Sequence, residues 1–300
     1  MRLIETHDNT FWEKEDSNKM LSIDVIVCCY NQEQFVVEAL KSVLCQKVNA
    51  NVRVIVADDG SLDKTLDIIK SYETRSPFPF IYFDNKGNIG MQANYKRAFE
   101  ACKSDFTAIL EGDDWWSSDQ HLAQHLDFLS RHPRYSMSFN NISYYYQEDG
   151  TYKVNKWPYS RDYVDIKLRH QLGWGNQIGN LSSCVFRTNL LHGLPDNFFK
   201  LQFADWELGV MMALKGPIAK LKDSTSVYRI NNNGQWTALS SEKRMVSEKE
   251  TLNNLALLLP PSCKGYIKMY TEILDNQKQS PEMATVKTRI KTYLRRILKK

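Results

Sequence analysis

The sequence predicts an α/β fold with a mostly parallel central sheet flanked by helices. Three observations carry that expectation. Short runs rich in Val and Ile alternate with stretches whose apolar residues recur at helical spacing. The alternation of strand and helix holds from residue 22 to residue 131, a spacing at which parallel strands are joined by right-handed crossovers. Acidic and amide residues gather just after the strands, at the edge where such sheets bind ligands.

Taken in order, Ser22–Cys29 (SIDVIVCC) reads as a buried first strand. Glu33–Gln46 places Phe35, Val36, Ala39, Leu40, Val43 and Leu44 on one helical stripe. Arg53–Ala57 is the second strand and ends in Asp58-Asp59-Gly60-Ser61. Ser61 is expected to cap a helix over Asp63–Tyr72, with Asp63 favourable in its first turn. A strand at Phe80–Phe83, a helix at Met91–Cys102 and a strand at Phe106–Leu110 follow.

Beyond a helix at Gln120–Arg131 the pattern loosens. Tyr135–Tyr146 and Thr151–Val154 suit a hairpin around Glu148-Asp149-Gly150. Gly173–Gly179 is a Gly/Trp/Asn loop, Asn180–Phe186 a strand, Asp205–Leu214 a helix, and Ser224–Ile230 a strand entering the loop Asn231–Trp236. From Ser241 the chain turns helical and charged, broken by Pro260-Pro261. The economical division is an N-terminal extension (1–19), an α/β domain (20–240) and a helical C-terminal appendage (241–300).

Composition narrows the class. With 42% hydrophobic and 25% charged residues, neither a disordered chain nor a fibre fits. No run approaches the roughly 18–20 apolar residues of a membrane span, and the first 20 residues lack the apolar core of a signal peptide. A soluble, cytoplasmic protein is expected. The net charge of +4 hides an asymmetry: residues 285–300 hold seven Lys/Arg and no acid, leaving 32 basic against 35 acidic residues before them. That body argues against nucleic acid as a partner. In the tail, Val286, Ile290, Tyr293, Leu294, Ile297 and Leu298 form the apolar stripe of a basic amphipathic helix. Such a helix suits an anionic membrane surface, and equally packing on its own domain. The six cysteines include no C-x-x-C pair and suit a reducing compartment.

Four acidic sites follow strands: Asp58-Asp59, Glu111-Gly112-Asp113-Asp114 followed by Trp115-Trp116, Asp205-Trp206-Glu207 and, more weakly, Asp84. Carboxylates gathered at strand ends repel unless a cation or donor lies among them. Mg²⁺ or Mn²⁺ commonly uses one or two carboxylates plus phosphate oxygens. Each site alone also suits a turn. There is no G-x-x-x-x-G-K-[ST] loop and no G-x-G-x-x-G after the first strand. Tyr30-Asn31 stands there instead, able to stack on a base and bond to it. A nucleotide whose diphosphate is held through a metal fits. His121 and His125, four apart without the Glu of H-E-x-x-H, read as surface residues. Trp115, Trp116 and Trp174 are open between core packing and a sugar pocket.

Together these residues resemble a family 2 glycosyltransferase. The motifs are Val25-Ile26-Val27-Cys28-Cys29-Tyr30-Asn31, Asp58-Asp59-Gly60-Ser61, Asn88-Ile89-Gly90 with Asn94, and Leu110-Glu111-Gly112-Asp113-Asp114-Trp115-Trp116. They continue through Gly193-Leu194-Pro195, Ala204-Asp205-Trp206-Glu207-Leu208 and Tyr228-Arg229-Ile230 to Gly234-Gln235-Trp236. The resemblance spans residues 20–240, and within the family it is nearest to bacterial enzymes of surface polysaccharides. It implies the GT-A (Rossmann-like) fold and inverting transfer from a nucleotide-diphosphate sugar, a UDP-sugar in first place, to a glycan or lipid-linked glycan. It implies further that Cys28, Tyr30, Asp59, Asn94 and Asp113 bind the nucleotide sugar and that Asp114 binds Mg²⁺ or Mn²⁺. Asp205 would be the general base, with Asp58 structural and Glu207 second in line for the base. The family often carries a histidine where this chain has Asn231, which leaves metal affinity open. Location at the inner face of the cell membrane would follow from a lipid-linked acceptor. The rivals are a nucleotidyltransferase, which would want a Gly- and Lys-rich loop after the first strand, and a catalytically silent nucleotide- or glycan-binding module.

Overall fold

The computed structural model describes residues 19–84, 87–201, 205–231 and 239–277. The elements in chain order are β1 (Ser22–Cys29), α1 (Val36–Leu44), β2 (Asn51–Asp58), α2 (Thr65–Glu73), β3 (Phe80–Tyr82), α3 (Met91–Ala101), β4 (Phe106–Glu111) and β5 (Trp115–Trp116). They continue with α4 (His121–Arg131), β6 (Met137–Tyr146), β7 (Thr151–Val154), β8 (Tyr163–Ile166), α5 (Leu168–Gly173), β9 (Cys184–Arg187) and α6 (Thr188–His192). The last are α7 (Asp205–Lys215), β10 (Ile218–Ile230), α8 (Ser241–Leu258) and α9 (Lys264–Gln277). Residues 1–18, the Gly234-Gln235-Trp236 motif and the basic tail 285–300 lie outside the described residues.

All ten strands form one sheet whose main path runs β3-β2-β1-β4-β9-β6-β10-β5, with β7 beside β6 and β8 beside β10. The strands β3, β2, β1 and β4 are parallel. β9 is antiparallel to both β4 and β6, and β10 is parallel to β6. The expected mostly parallel α/β sheet is therefore present. Register places Cys28 opposite both Ala57 and Glu111, and Cys29 opposite Asp58, so one edge of the sheet gathers the exits of β1, β2 and β4.

Alternation along β1 explains the two-sided core. Ile23, Val25 and Val27 face α1 and its buried stripe of Val36, Ala39, Leu40 and Val43, while Ile26 faces Tyr95, Ala98 and Phe99 of α3. Each such side chain, fully buried, contributes about 1.5–3 kcal/mol. A third cluster joins Leu172 of α5 and Trp206 and Val210 of α7 to Leu252, Leu255, Ile267, Tyr270 and Leu274 of α8 and α9. The C-terminal helices thus pack directly behind the start of α7. Among the described residues no helix is long and apolar enough to cross a membrane.

Local expectations fared unevenly. The β6–β7 hairpin forms as expected, with Gly150 at φ 70° in its turn. Ser61 caps nothing: α2 starts at Thr65, and the Ser61 hydroxyl donates to Asp58 instead. Asp63 does the capping work, accepting from the backbone N–H of Thr65 at 2.9 Å. The strand expected at Asn180–Phe186 begins later, at Cys184, after a 3-10 turn at Leu181–Ser183.

Candidate active site

The exits of β1 and β2 are stitched to each other. Asn31, in the left-handed region at φ 53°, accepts from Leu62 N–H at 2.8 Å, and its own N–H donates to Ser61 Oγ at 2.9 Å. Asn is among the few residues that adopt this conformation at modest cost. Asp58 is consumed by this loop: its carboxylate accepts from Gly60 N–H, Ser61 N–H and the Ser61 hydroxyl. Asp59 is buried and accepts from the backbone of Ile89 at 2.9 Å and Gly90 at 3.0 Å. Each carboxylate oxygen has a second lone pair, so one remains on each for a ligand amide. Tyr30, beside it, is 43% exposed.

Cys28 uses its carbonyl to accept from Gly112 N–H at 2.8 Å. Burial, then the Glu111 carboxylate, push its thiol up to about 12. Asn94, expected to bind the nucleotide sugar, is 1% exposed, donates to the Ala57 carbonyl at 2.7 Å and accepts from Arg97 at 2.6 and 2.9 Å. Its amide pins α3 beneath the end of β2.

After β4 the chain enters Glu111-Gly112-Asp113-Asp114. Asp114, expected to bind metal, is fully buried and takes three hydrogen bonds from the protein. Its Oδ2 accepts from Asn180 Nδ2 at 2.8 Å and Ser182 Oγ at 2.6 Å, and its Oδ1 from Arg229 N–H at 2.9 Å. Burial, then the neighbouring Asp113, raise its pKa to about 7. Asp113 and Glu111 are instead half-buried. Burial raises Asp113, opposed by Arg229 and by a hydrogen bond from Gln32. Glu111 is pushed well above the carboxylate range by desolvation, then by Asp114, Asp113 and Asp205. Gly112 between them is required by space: a Cβ there would lie 2.2 Å from Gln32 Oε1 and 2.9 Å from Cys29 Cβ.

Asp205 opens α7 and is half-buried. Its Oδ2 accepts from Asn176 Nδ2 at 2.6 Å. The Asn176 amide is oriented by its other end, where Oδ1 accepts from Ile178 N–H and Gly179 N–H. Burial raises the Asp205 pKa, with Asn176 acting in the opposite direction. Glu207 is turned away: it is 3% exposed and accepts from Thr251 Oγ1 of α8 at 2.7 Å.

Arg229 was quoted in a motif but given no role, and the structure gives it one. It is 6% exposed and donates to the Asp113 carbonyl at 2.7 Å, to Gln147 and to Glu38. The rings of Trp115, Phe35 and Tyr145 surround its guanidinium at 4.6, 4.9 and 5.4 Å. Arg229 between Tyr228 and Ile230 was the available signal, because Arg is rarely buried without a partner. Tyr95 was also missed; its hydroxyl lies against Cys28 and Glu111. Trp116 is core, donating to the Ser182 carbonyl at 2.8 Å and stacked at 4.3 Å on His121. His121 and His125 are not surface residues but fully buried, with Nδ1 atoms paired to Thr225 and Ser138.

The edge therefore presents Glu111, Asp113 and Asp205, each raised by burial and Glu111 further by the charges of the other two. The described residues contain no cluster of three or more His, Cys, Asp or Glu arranged to hold a metal by themselves. That donor set fits a hard cation taking one or two protein carboxylates and completing its shell from phosphate or water.

Comparison with known proteins agrees with this architecture. Uncharacterised proteins of Mycobacterium tuberculosis and Mycobacterium bovis are 33% identical over 226 residues, 74% of this chain. The chain spans 62% of the length of those relatives. In fold it is similar to the crystal structure of S. aureus TarS 1–349 in complex with UDP-GlcNAc (TM-score 0.62, 19% identity, 87% of this chain and 73% of that one). It is likewise similar to the mannosyltransferase PcManGT from Pyrobaculum calidifontis in complex with GDP-Man and Mn²⁺ (TM-score 0.61, 16% identity, 85% and 70%). The family model for glycosyl transferase family 2 matches residues 24–193, and the chain belongs to that family, with its GT-A fold.

Proposed function

We propose that this protein is an inverting, metal-dependent glycosyltransferase that moves a sugar from a nucleotide-diphosphate donor, a UDP-sugar in first place, to a glycan or lipid-linked acceptor. The observation that carries the reading is the convergence of Glu111, Asp113 and Asp205 at the carboxyl edge, where burial raises all three and Glu111 feels the charges of the other two. The fold neighbours solved with UDP-GlcNAc and with GDP-Man and Mn²⁺ support a nucleotide sugar as donor. Tyr30 would stack on the base and Asp59 bond to its amide, while the Cys28 backbone borders it. Asp113, rather than the fully buried Asp114, would hold the cation on the diphosphate, with Glu111 beside it. When bound there, Mg²⁺ or Mn²⁺ would neutralise charge on the departing phosphate.

The chain's own residues do the rest. The acceptor oxygen attacks the anomeric carbon from the face opposite the diphosphate. The bond from that carbon to the phosphate oxygen breaks, and the hydroxyl proton passes to Asp205. A pKa raised by burial makes Asp205 a stronger base, and Asn176 aims it. A role in surface polysaccharide synthesis at the inner face of the cell membrane completes the proposal, with the tail 285–300 as membrane contact.

Turnover of Asp205→Asn tests the reading. Removing a general base should lower transfer by about 10²–10⁴-fold, with nucleotide binding unchanged within twofold. Transfer at the parental rate would remove Asp205 from the chemistry. No transfer or donor hydrolysis by the folded parent with any nucleotide sugar would favour a silent binding module.

A further inference from the structure

We propose that Trp174, stacked on His170, is the platform on which the acceptor's sugar ring lies. The inference rests on Asp205 being the base of the proposed transfer. Trp116 and Trp206 are buried, and their indole N–H groups donate to the carbonyls of Ser182 and Gln171. Trp174 is 39% exposed, on the loop after α5. One of its faces is covered by the His170 ring, 4.3 Å away and 17° from parallel. A large ring supported on one face and exposed to water is the geometry that receives the apolar C–H face of a pyranose.

The mount is fixed rather than loose. Gln177 Nε2 donates to the carbonyls of Trp174 and Gly175 at 3.1 and 3.0 Å. Gly175 takes φ 77°, and a Cβ there would lie 2.3 Å from Tyr270 Oη of α9. Trp174 N–H closes the end of α5 on the His170 carbonyl at 3.0 Å. The loop then delivers Asn176, two residues on, whose amide holds Asp205 at 2.6 Å. Two steps of about 3.8 Å keep the Cα of Trp174 within roughly 8 Å of that of Asn176. One short segment thus carries both the platform and Asn176, the residue that orients the base on α7. The C-terminal helices buttress both, since Tyr270 also packs edge-on to Trp206 at 5.7 Å.

The test uses the full chain with Mg²⁺ and whichever of UDP, GDP or dTDP binds. The probes are the methyl glycosides of glucose, galactose, mannose and N-acetylglucosamine, with affinities measured by calorimetry in the parent and in each variant, and in the parent also through the indole N–H resonance that Trp174→Phe removes. One of the four should move that resonance. Trp174→Ala should weaken its binding at least tenfold and Trp174→Phe less than threefold, with nucleotide affinity within twofold throughout. Equal glycoside binding by Trp174→Ala, or no glycoside moving the resonance while the nucleotide binds, would overturn the platform. If no nucleotide binds the folded parent, the transferase reading itself falls and the platform with it.

Discussion

At the amino edge of the sheet Asp24 is fully buried, yet its oxygens accept from Arg53 at 2.7 and 2.8 Å and from the backbone of Lys103 and Ser104. Asp105, beside it, is bonded by Lys19 and twice by Ser22, which hold its pKa below the usual value against the opposing effect of burial. At the carboxyl edge the balance is reversed. Glu111, Asp113 and Asp205 are crowded and desolvated, and all three are raised. Acids at the two edges meet different surroundings. At the amino edge donors from the protein outweigh burial at Asp105, and the acids hold the fold together; at the carboxyl edge burial outweighs the donors that Asp113 and Asp205 receive. Strongly perturbed groups of the second kind mark functional sites.

Breaking the amino-edge pair should therefore cost stability and spare the site. Asp24→Ala leaves Arg53 and two amides without their acceptor, and urea unfolding should show a loss of about 3 kcal/mol. Its nucleotide affinity should match the parent's under conditions where it is folded. Weakened nucleotide binding at unchanged stability would erase the distinction between the edges.

A buried pair of histidines extends the comparison to acid pH. Burial drives His121 well below its ordinary pKa and His125 down to about 3. The unfolded chain takes up these protons near pH 6.5, whereas the folded chain resists them until far lower pH. Their contribution is thus present above about pH 6.5 and is lost as pH falls towards 3, by roughly 1 kcal/mol per pH unit for each group. The raised carboxylates act in the opposite direction on acidification. The His121→Leu/His125→Leu double variant isolates the histidine part: its stability should fall less between pH 6.5 and 4 than the parent's. Parallel profiles would contradict burial of the neutral pair.

The smallest effect concerns Asn176. Removing a donor to the charged form of a carboxylate raises its pKa. Asn176→Ala should accordingly shift the acid limb of the transfer rate, set by Asp205, to higher pH. An unmoved limb with a uniformly lower rate would make Asn176 merely structural.

The strand–helix alternation and the acids at strand exits were legible because they are local patterns: hydrophobic period, β-branched content and turn residues. What was not legible is which acid the rest of the chain satisfies. Asp113 and Asp114 are adjacent and chemically identical, and the sequence reading chose Asp114 for the metal. The donors that close Asp114 come from Asn180, Ser182 and Arg229, which are 66, 68 and 115 positions away. The histidines misled for the same reason. On α4 alone they resemble a polar face, and their burial involves distant residues: Trp116 and Thr225 at His121, and Ser138 at His125. Asn94 is a further case: its motif did not reveal that its amide bonds to Ala57 and Arg97.

Asp113, with Glu111 beside it, should take a metal-held nucleotide diphosphate at the carboxyl edge. Calorimetric titration of UDP, GDP and dTDP, each with Mn²⁺ and again with EDTA, addresses it directly in the parent and in Asp113→Asn. One diphosphate should bind the parent with Mn²⁺, lose at least tenfold in affinity with EDTA, and lose as much in folded Asp113→Asn. Binding indifferent to both EDTA and Asp113→Asn, or no binding at all by the folded parent, would contradict it.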